Sequence, residues 1–171
     1  MQQPKSTQTL PIQTLETLSL QMLFEQETDL QFSHFNHDTA WHLGTWLQQR
    51  SQSSQLAVAI EIYAFGQILF SCALPGSSPN NFDWIRRKRN SVLHFGHSSF
   101  YLGQSQRDKQ QIFEDQPHID AREFCGHGGS FPIRLQASGL VGAVTVSGLP
   151  QAEDHALVVE AVRHLIDMEG K

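Results

Sequence analysis

Two hairpin signatures, with helical periodicities before, between and after them, predict an α/β (α+β) fold with a five-stranded, mainly antiparallel sheet and helices packed on its faces. The first hairpin reads "QLAVAIEIYAFGQILFSCAL", two runs of β-branched and aromatic residues joined at Phe65-Gly66-Gln67. The second joins residues 131–135 to 140–147 across Ala137-Ser138-Gly139.

The elements follow in order. Residues 12–28 place Ile12, Leu15, Leu18, Met22 and Leu23 at amphipathic helical spacing. A short strand over 30–35 supplies the fifth strand, and Asp38 is a candidate cap for a second helix whose Ala40, Leu43, Gly44 and Leu47 share a face. After the first hairpin and Pro75-Gly76, a third helix is predicted over 82–95, and the last over 151–168. The order is α-β-α-β-β-α-β-β-α. A short polar leader over residues 1–11 and one domain over 12–171 complete the expected organisation.

Composition narrows the function. A 171-residue chain with 39% hydrophobic content can bury one real core. Its net charge of −5 argues against nucleic-acid binding, which needs many cationic phosphate contacts. The N-terminus lacks a cationic n-region and an apolar h-region, and no run is long enough to span a bilayer, so a cytoplasmic protein with no membrane partner is expected. Cys72 and Cys125 form no Cys-x-x-Cys pair. Cys72 reads as packing, while Cys125, beside a glycine-rich turn, is either packing or a reactive thiol.

The third helix, "NNFDWIRRKRNSVLHFGHSSFY", is the most informative stretch. Phe82, Ile85, Val92 and Leu93 form a sheet-facing arc, whereas Arg86, Arg87, Asn90, His94, His97 and Tyr101 project along another. That second arc is either a solvated face or a site for an anionic ligand, because guanidinium binds carboxylates and His or Tyr can ligate haem iron. Arg89 falls on the apolar arc, where it must snorkel, meet an acid or lie at a subunit interface. Trp84, Lys88 and Phe95 make a third stripe, explained by a neighbouring helix or by self-association into a homo-oligomer.

Weaker signals remain. His34-x-x-His37 and His94-x-x-His97 have metal-compatible spacing but no third ligand nearby, so no dedicated metal site is expected. Glu153 and Asp154 suit the positive end of the last helix, and His155 reads as a packed, hydrogen-bonded histidine. In "FCGHGGSFPI", Gly126, Gly128 and Gly129 crowd His127 just before a strand. These glycines either permit a sharp turn or bring backbone N–H groups and His127 to a pocket completed by the Arg86/His97 arc.

The stretches "FDWIRRKRNSVLHFGHSS", "FCGHGGSFPI" and "GLVGAVTVSGLPQAEDHALVVEAV", in this order, resemble the haem-degrading domain family, within the GlcG-like and HbpS-like group, over residues 30–169. The resemblance implies a profilin-like α/β/α domain with a five-stranded antiparallel sheet. That group includes haem-binding proteins linked to redox sensing and the C-terminal domain of some cobalamin adenosyltransferases. By resemblance His97 matches the helix histidine of the family, and Gly128, Gly129 and Pro132 match its glycine turn and strand. His127 and the Arg-rich helix depart from the broader group. Residues and resemblance together lead to the expectation of a protein that binds a small anionic or tetrapyrrole ligand, haem being the named candidate cofactor, with haem degradation as the activity implied. A non-enzymatic homo-oligomeric scaffold is the alternative.

Overall fold

The computed structural model describes residues 18–169. Helix α1 (Leu20–Asp29) starts where the Ser19 side chain accepts the Met22 N–H, within the stretch expected to be helical; Ile12, Leu15 and the polar leader lie outside the described residues. Helix α2 (His37–Ser53) is capped by Asn36, whose Oδ1 accepts from Thr39 N at 2.9 Å. Asp38 is therefore not the cap: it sits in the first turn, where its charge complements the helix dipole.

Strands β1 (Ala59–Ala64) and β2 (Gln67–Ala73) form the first hairpin, and β3 (Ser130–Leu135) and β4 (Gly139–Ser147) the second. Together they make a four-stranded antiparallel sheet in the order β2-β1-β4-β3. The fifth strand expected over 30–35 reduces to one bridge, in which Phe32 N donates to Arg134 O at 2.8 Å. Its apolar residues are nevertheless used, since Leu30, Phe32 and Phe35 are all buried. The chain then has to turn into the Asn36 cap, which leaves no room for a second ladder pair.

Side-chain alternation along the strands assigns the two faces. Ile60, Ile62, Ala64, Val144 and Val146 join one core with Leu43 and Leu47 of α2 and with Val158, Ala161 and Val162 of helix α5 (Gln151–Glu169). The opposite face, carrying Glu61 and Tyr63, receives helix α3 (Pro79–Phe95), whose Ile85 and Val92 are fully buried. Helices thus cover both faces. Gly96, at φ 77°, ends α3, and helix α4 (Ser99–Arg107) follows, an element the sequence reading passed over.

Arg89 takes the second of its three options. Its guanidinium meets Glu61 of β1 at 2.6 Å and lies 4.6 Å over the Tyr63 ring, so the charge is paired within the chain. The third stripe is also filled from within. Phe95 packs edge-on against Phe113 and Phe124, Lys88 is buried, and Trp84 meets the His127 ring at 5.0 Å. The apolar surface from which self-association was inferred is consequently occupied.

Candidate functional site

Two of the described histidines, His127 and His97, stand in separate polar neighbourhoods. The first is a cavity of about 250 Å³ between the N-termini of α3 and α5, lined in part by Asn81, Trp84, Lys88, His127, Gln151 and Asp154. Helical spacing puts Asn81, Trp84 and Lys88 on one side of α3. Lys88, only 3% exposed, donates from Nζ to Asp154 Oδ2 at 2.9 Å and to Val146 O at 3.1 Å. Asp154 also accepts the Leu149 N–H at 3.0 Å, so it fastens the turn before α5 as well as the lysine. Burial raises the Asp154 pKa, while Lys88 and the neighbouring amides pull it down. The approach of these groups explains a glycine: a Cβ on Gly129, which has φ +129°, would lie 2.7 Å from Lys88 Nζ and 2.9 Å from Asp154 Cβ.

His127 stands at the rim of this cavity. Its Nε2 lies 3.5 Å from Glu114 Oε1, the oxygen that accepts the Gly126 N–H at 2.8 Å. Burial lowers the His127 pKa; Glu114 opposes that shift, and the charges of Lys88, Arg87 and Arg107 reinforce it. The ring is therefore neutral at pH 7. Gly128 N donates to Gln151 Oε1 at 3.1 Å, tying the glycine turn to α5.

The second neighbourhood lies where α1 meets the α3–α4 turn. Glu27, 4% exposed, accepts Ser98 N at Oε1 and His97 Nδ1 at Oε2, both at 2.7 Å. One carboxylate thus satisfies the start of α4 and orients an imidazole. Nδ1 faces the carboxylate and can donate to it, and Nε2 lies on the other edge of the ring. Tyr101, one turn on, stacks on His97 at 4.3 Å with 20° between planes. A cleft of about 200 Å³ opens beside them, lined by Phe24, Glu27, Thr28, Gln31, His97 and Arg134.

The arc of Arg86, Arg87, Asn90, His94, His97 and Tyr101 is accordingly divided. Arg86 pairs with Glu123 at 2.7 Å and Asp83 at 3.1 Å and donates to Arg122 O, while Asn90 donates to Glu123 O. With His94 against Phe124, these side chains fasten the 120–124 loop over α3. Arg87 lies over the Trp84 ring at 4.6 Å, on the His127 side. His97 and Tyr101 belong with Glu27, and His127, Gly128 and Gly129 with Lys88 and Asp154. His97 and His127 line two different cavities. Cys125 is fully buried, its backbone N–H and carbonyl both bonded to Ser91 Oγ, and burial pushes its thiol pKa up, away from reactivity.

Glu27 and the Lys88–Asp154 pair are the residues that sequence reasoning missed as parts of a site. A signal existed for Lys88, which follows buried Ile85 by three positions and precedes buried Val92 by four. None existed for Glu27, whose partner is 70 residues away.

A family model described as "Haem degrading protein HbpS-like" matches residues 35–163. A UPF0303 protein of Psychromonas ingrahamii is 54% identical over 151 residues, covering 88% of this chain and 95% of that one. Among solved structures, the Ybr137w protein superposes with a TM-score of 0.84 at 31% identity, covering 93% of this chain and 99% of its own. A PduOC:heme complex shares the fold with a TM-score of 0.64 at 14% identity over 75% of this chain and 93% of that chain. With its model matched over well beyond half of the sequence, the chain belongs to the HbpS-like family of haem-degrading proteins.

Proposed function

We propose that this protein binds haem and that His97 is the iron ligand. The observation that carries the reading is the 2.7 Å contact between His97 Nδ1 and the buried Glu27 carboxylate. A carboxylate behind the imidazole is the arrangement that fixes the tautomer and raises the basicity of a metal-binding histidine. Arg134 gives the cleft a cation suited to a propionate, and Phe24, about half exposed, gives it an apolar wall. Haem bound there would supply an iron centre for redox and oxygen chemistry.

The other cavities suit a tetrapyrrole less well. The His127 cavity is walled by amides and by the Lys88–Asp154 pair, a poor match for a macrocycle. A larger cleft of about 410 Å³ between α2 and α5 holds His34, His42 and His164, but its charged wall is Glu169, which would repel propionates. The family relationship and the haem complex of the fold neighbour support the choice of ligand.

The test is a titration of the full chain with ferric haem, followed by the Soret band. Binding should be stoichiometric, lost or strongly weakened in His97→Ala, and kept in His127→Ala; an unshifted band, or equal binding by both variants, overturns the assignment. Degradation is tested on the complex by adding a reductant in air. Soret loss faster than for free haem, and persisting with catalase present, supports turnover by the protein, whereas loss abolished by catalase is peroxide damage.

A further inference from the structure

We propose that the outer edge of β2 is an interface at which two copies of this chain pair, antiparallel and about a two-fold axis, joining their sheets into one. The proposal is independent of the haem reading, because no residue of β2 lines the His97 cleft.

The contrast between the two edges of the sheet is the first argument. In the order β2-β1-β4-β3, the β3 edge is closed from outside: Ser130 N donates to Ser99 Oγ at 3.1 Å, Phe32 N to Arg134 O at 2.8 Å and Gln136 N to Phe32 O at 3.0 Å, and Pro132 between them has no N–H to offer. Among the described residues β2 pairs only with β1. An edge strand leaves alternate N–H and C=O groups unpaired, and chains that keep such an edge free guard it with charge, proline or a covering element. Residues 65–74 include no charged residue and no proline. A bulge at Leu69 twists the strand but leaves residues 70–73 as a regular edge.

The flanks of the edge supply the second argument. Phe70 stands opposite Ile62 on the α2 side, where the exposed Trp41 ring meets it edge-on at 5.7 Å; Ile68, opposite Tyr63, lies on the α3 side. Antiparallel pairing about a two-fold sets each face beside the same face of the copy, so apolar side chains meet on both. Charge selects the occupant. The nearby Arg89 and Glu61 are already paired with each other, so the strip offers nothing to an acidic or basic partner, whereas two chains of net charge −5 can meet along it without repulsion. Each copy has one such edge, so the assembly closes at two. The exposed parts of Trp41 and Ile68 come to roughly 200 Å² per copy, a quarter of the about 800 Å² per partner in a standard interface. The strand itself has to supply the rest, and the expected dimer is therefore a reversible one.

Sedimentation of the full chain over a range of concentrations should show a monomer–dimer equilibrium, with hydrogen exchange in residues 67–73 slowing as the dimer forms. Ile68→Lys and Ser71→Lys, each placing a charge on the edge, should raise the dissociation constant at least tenfold. Ile112→Lys is the control: Ile112, 59% exposed, matches Ile68 at 55% but lies outside the sheet, and its replacement should leave the equilibrium unchanged. All three positions are exposed or nearly so on the surface, and unchanged thermal midpoints verify that the variants fold. Haem titration of Ile68→Lys should match that of the wild type, so the haem reading can fail without touching this one. A chain that stays monomeric up to its solubility limit overturns the proposal, and if its 67–73 amides are then protected, the cover is the chain's own residues 1–17. Association that continues beyond two copies, or that Ile112→Lys weakens as much as Ile68→Lys does, overturns it as well.

Discussion

His97 and His127 are both half-buried histidines beside a glutamate, yet the groups around the two rings differ. His97 touches a buried carboxylate at 2.7 Å and shares its cleft with Arg134; His127 sees its glutamate only at 3.5 Å, with the charges of Arg87, Lys88 and Arg107 nearby. The first arrangement is the one on which the haem proposal rests. In the second, burial and the nearby cations lower the His127 pKa and disfavour the imidazolium. A histidine's role is thus set by the sign of what stands behind it, and residue type alone does not separate the two.

The largest effect that would sharpen this contrast lies in the floor of the His127 cavity. Lys88→Met leaves Asp154 buried without its cation, and the expected loss of stability is about 3–5 kcal/mol, read from the denaturant midpoint. Adding Asp154→Asn should recover more than half of it, because the amide still accepts from Leu149 N without carrying a charge. A cost below about 1 kcal/mol for Lys88→Met would mean that the pair is hydrated and the floor is not sealed.

The next effect runs through the residue that links the two regions. His155 follows Asp154 in α5, and its Nε2 bonds Gln26 Oε1 at 2.9 Å, next to Glu27 in α1. It is fully buried between Phe100 and Phe131, and burial pushes its pKa down to about 3 from an ordinary 6.5. The unfolded chain therefore takes up this proton at a higher pH than the folded chain does. Stability contributed by the neutral ring is present above pH 6.5 and lost as the pH falls toward 3, at about 1.4 kcal/mol per pH unit. Between pH 8 and 5 the loss is about 2 kcal/mol, and in His155→Leu this part of the slope should vanish. Equal slopes in both proteins would show that the ring gains its proton without unfolding.

Local chemistry made both hairpins, the third helix and the last helix legible, since their turns and periodicities are contained within short windows. Helix α4 was not, because "SSFYLGQSQR" carries serines and a glycine that read as loop. Gly103 is there for packing: it lies against Gly126, whose own Cβ would sit 2.9 Å from the Gly103 Cα. The strand expected over 30–35 shows the converse: its apolar residues are buried as a strand's would be, while backbone pairing stops at one bridge before the neighbouring cap. For the site, sequence spacing put His97, Tyr101 and Arg86 on one helical arc, but the chain bends at Gly96 and places His97 beyond the end of α3. A helical projection drawn through that glycine joins residues that belong to different neighbourhoods.

The smallest effect tests the carboxylate behind His97. Glu27→Gln can retain the bond from Ser98 N through its amide oxygen, so α4 should keep its start and the change in stability should stay within about 1 kcal/mol. The negative charge behind the imidazole is gone, however, and an amide can present its NH₂ to Nδ1, which favours the tautomer with the proton on Nε2. Outer-sphere partners of metal-bound histidines typically contribute tenfold or more to affinity, so ferric haem should bind about tenfold more weakly, about 1.4 kcal/mol. Unaltered haem affinity in Glu27→Gln, with His97→Ala still defective, would leave His97 as the ligand and remove Glu27 from its support. Weakened haem binding accompanied by a loss of stability well above 1 kcal/mol would mean instead that Glu27 acts by holding α1, which the Gln26–His155 bond ties to α5, and the contrast between the two histidines would then be one of position within a single cooperative unit.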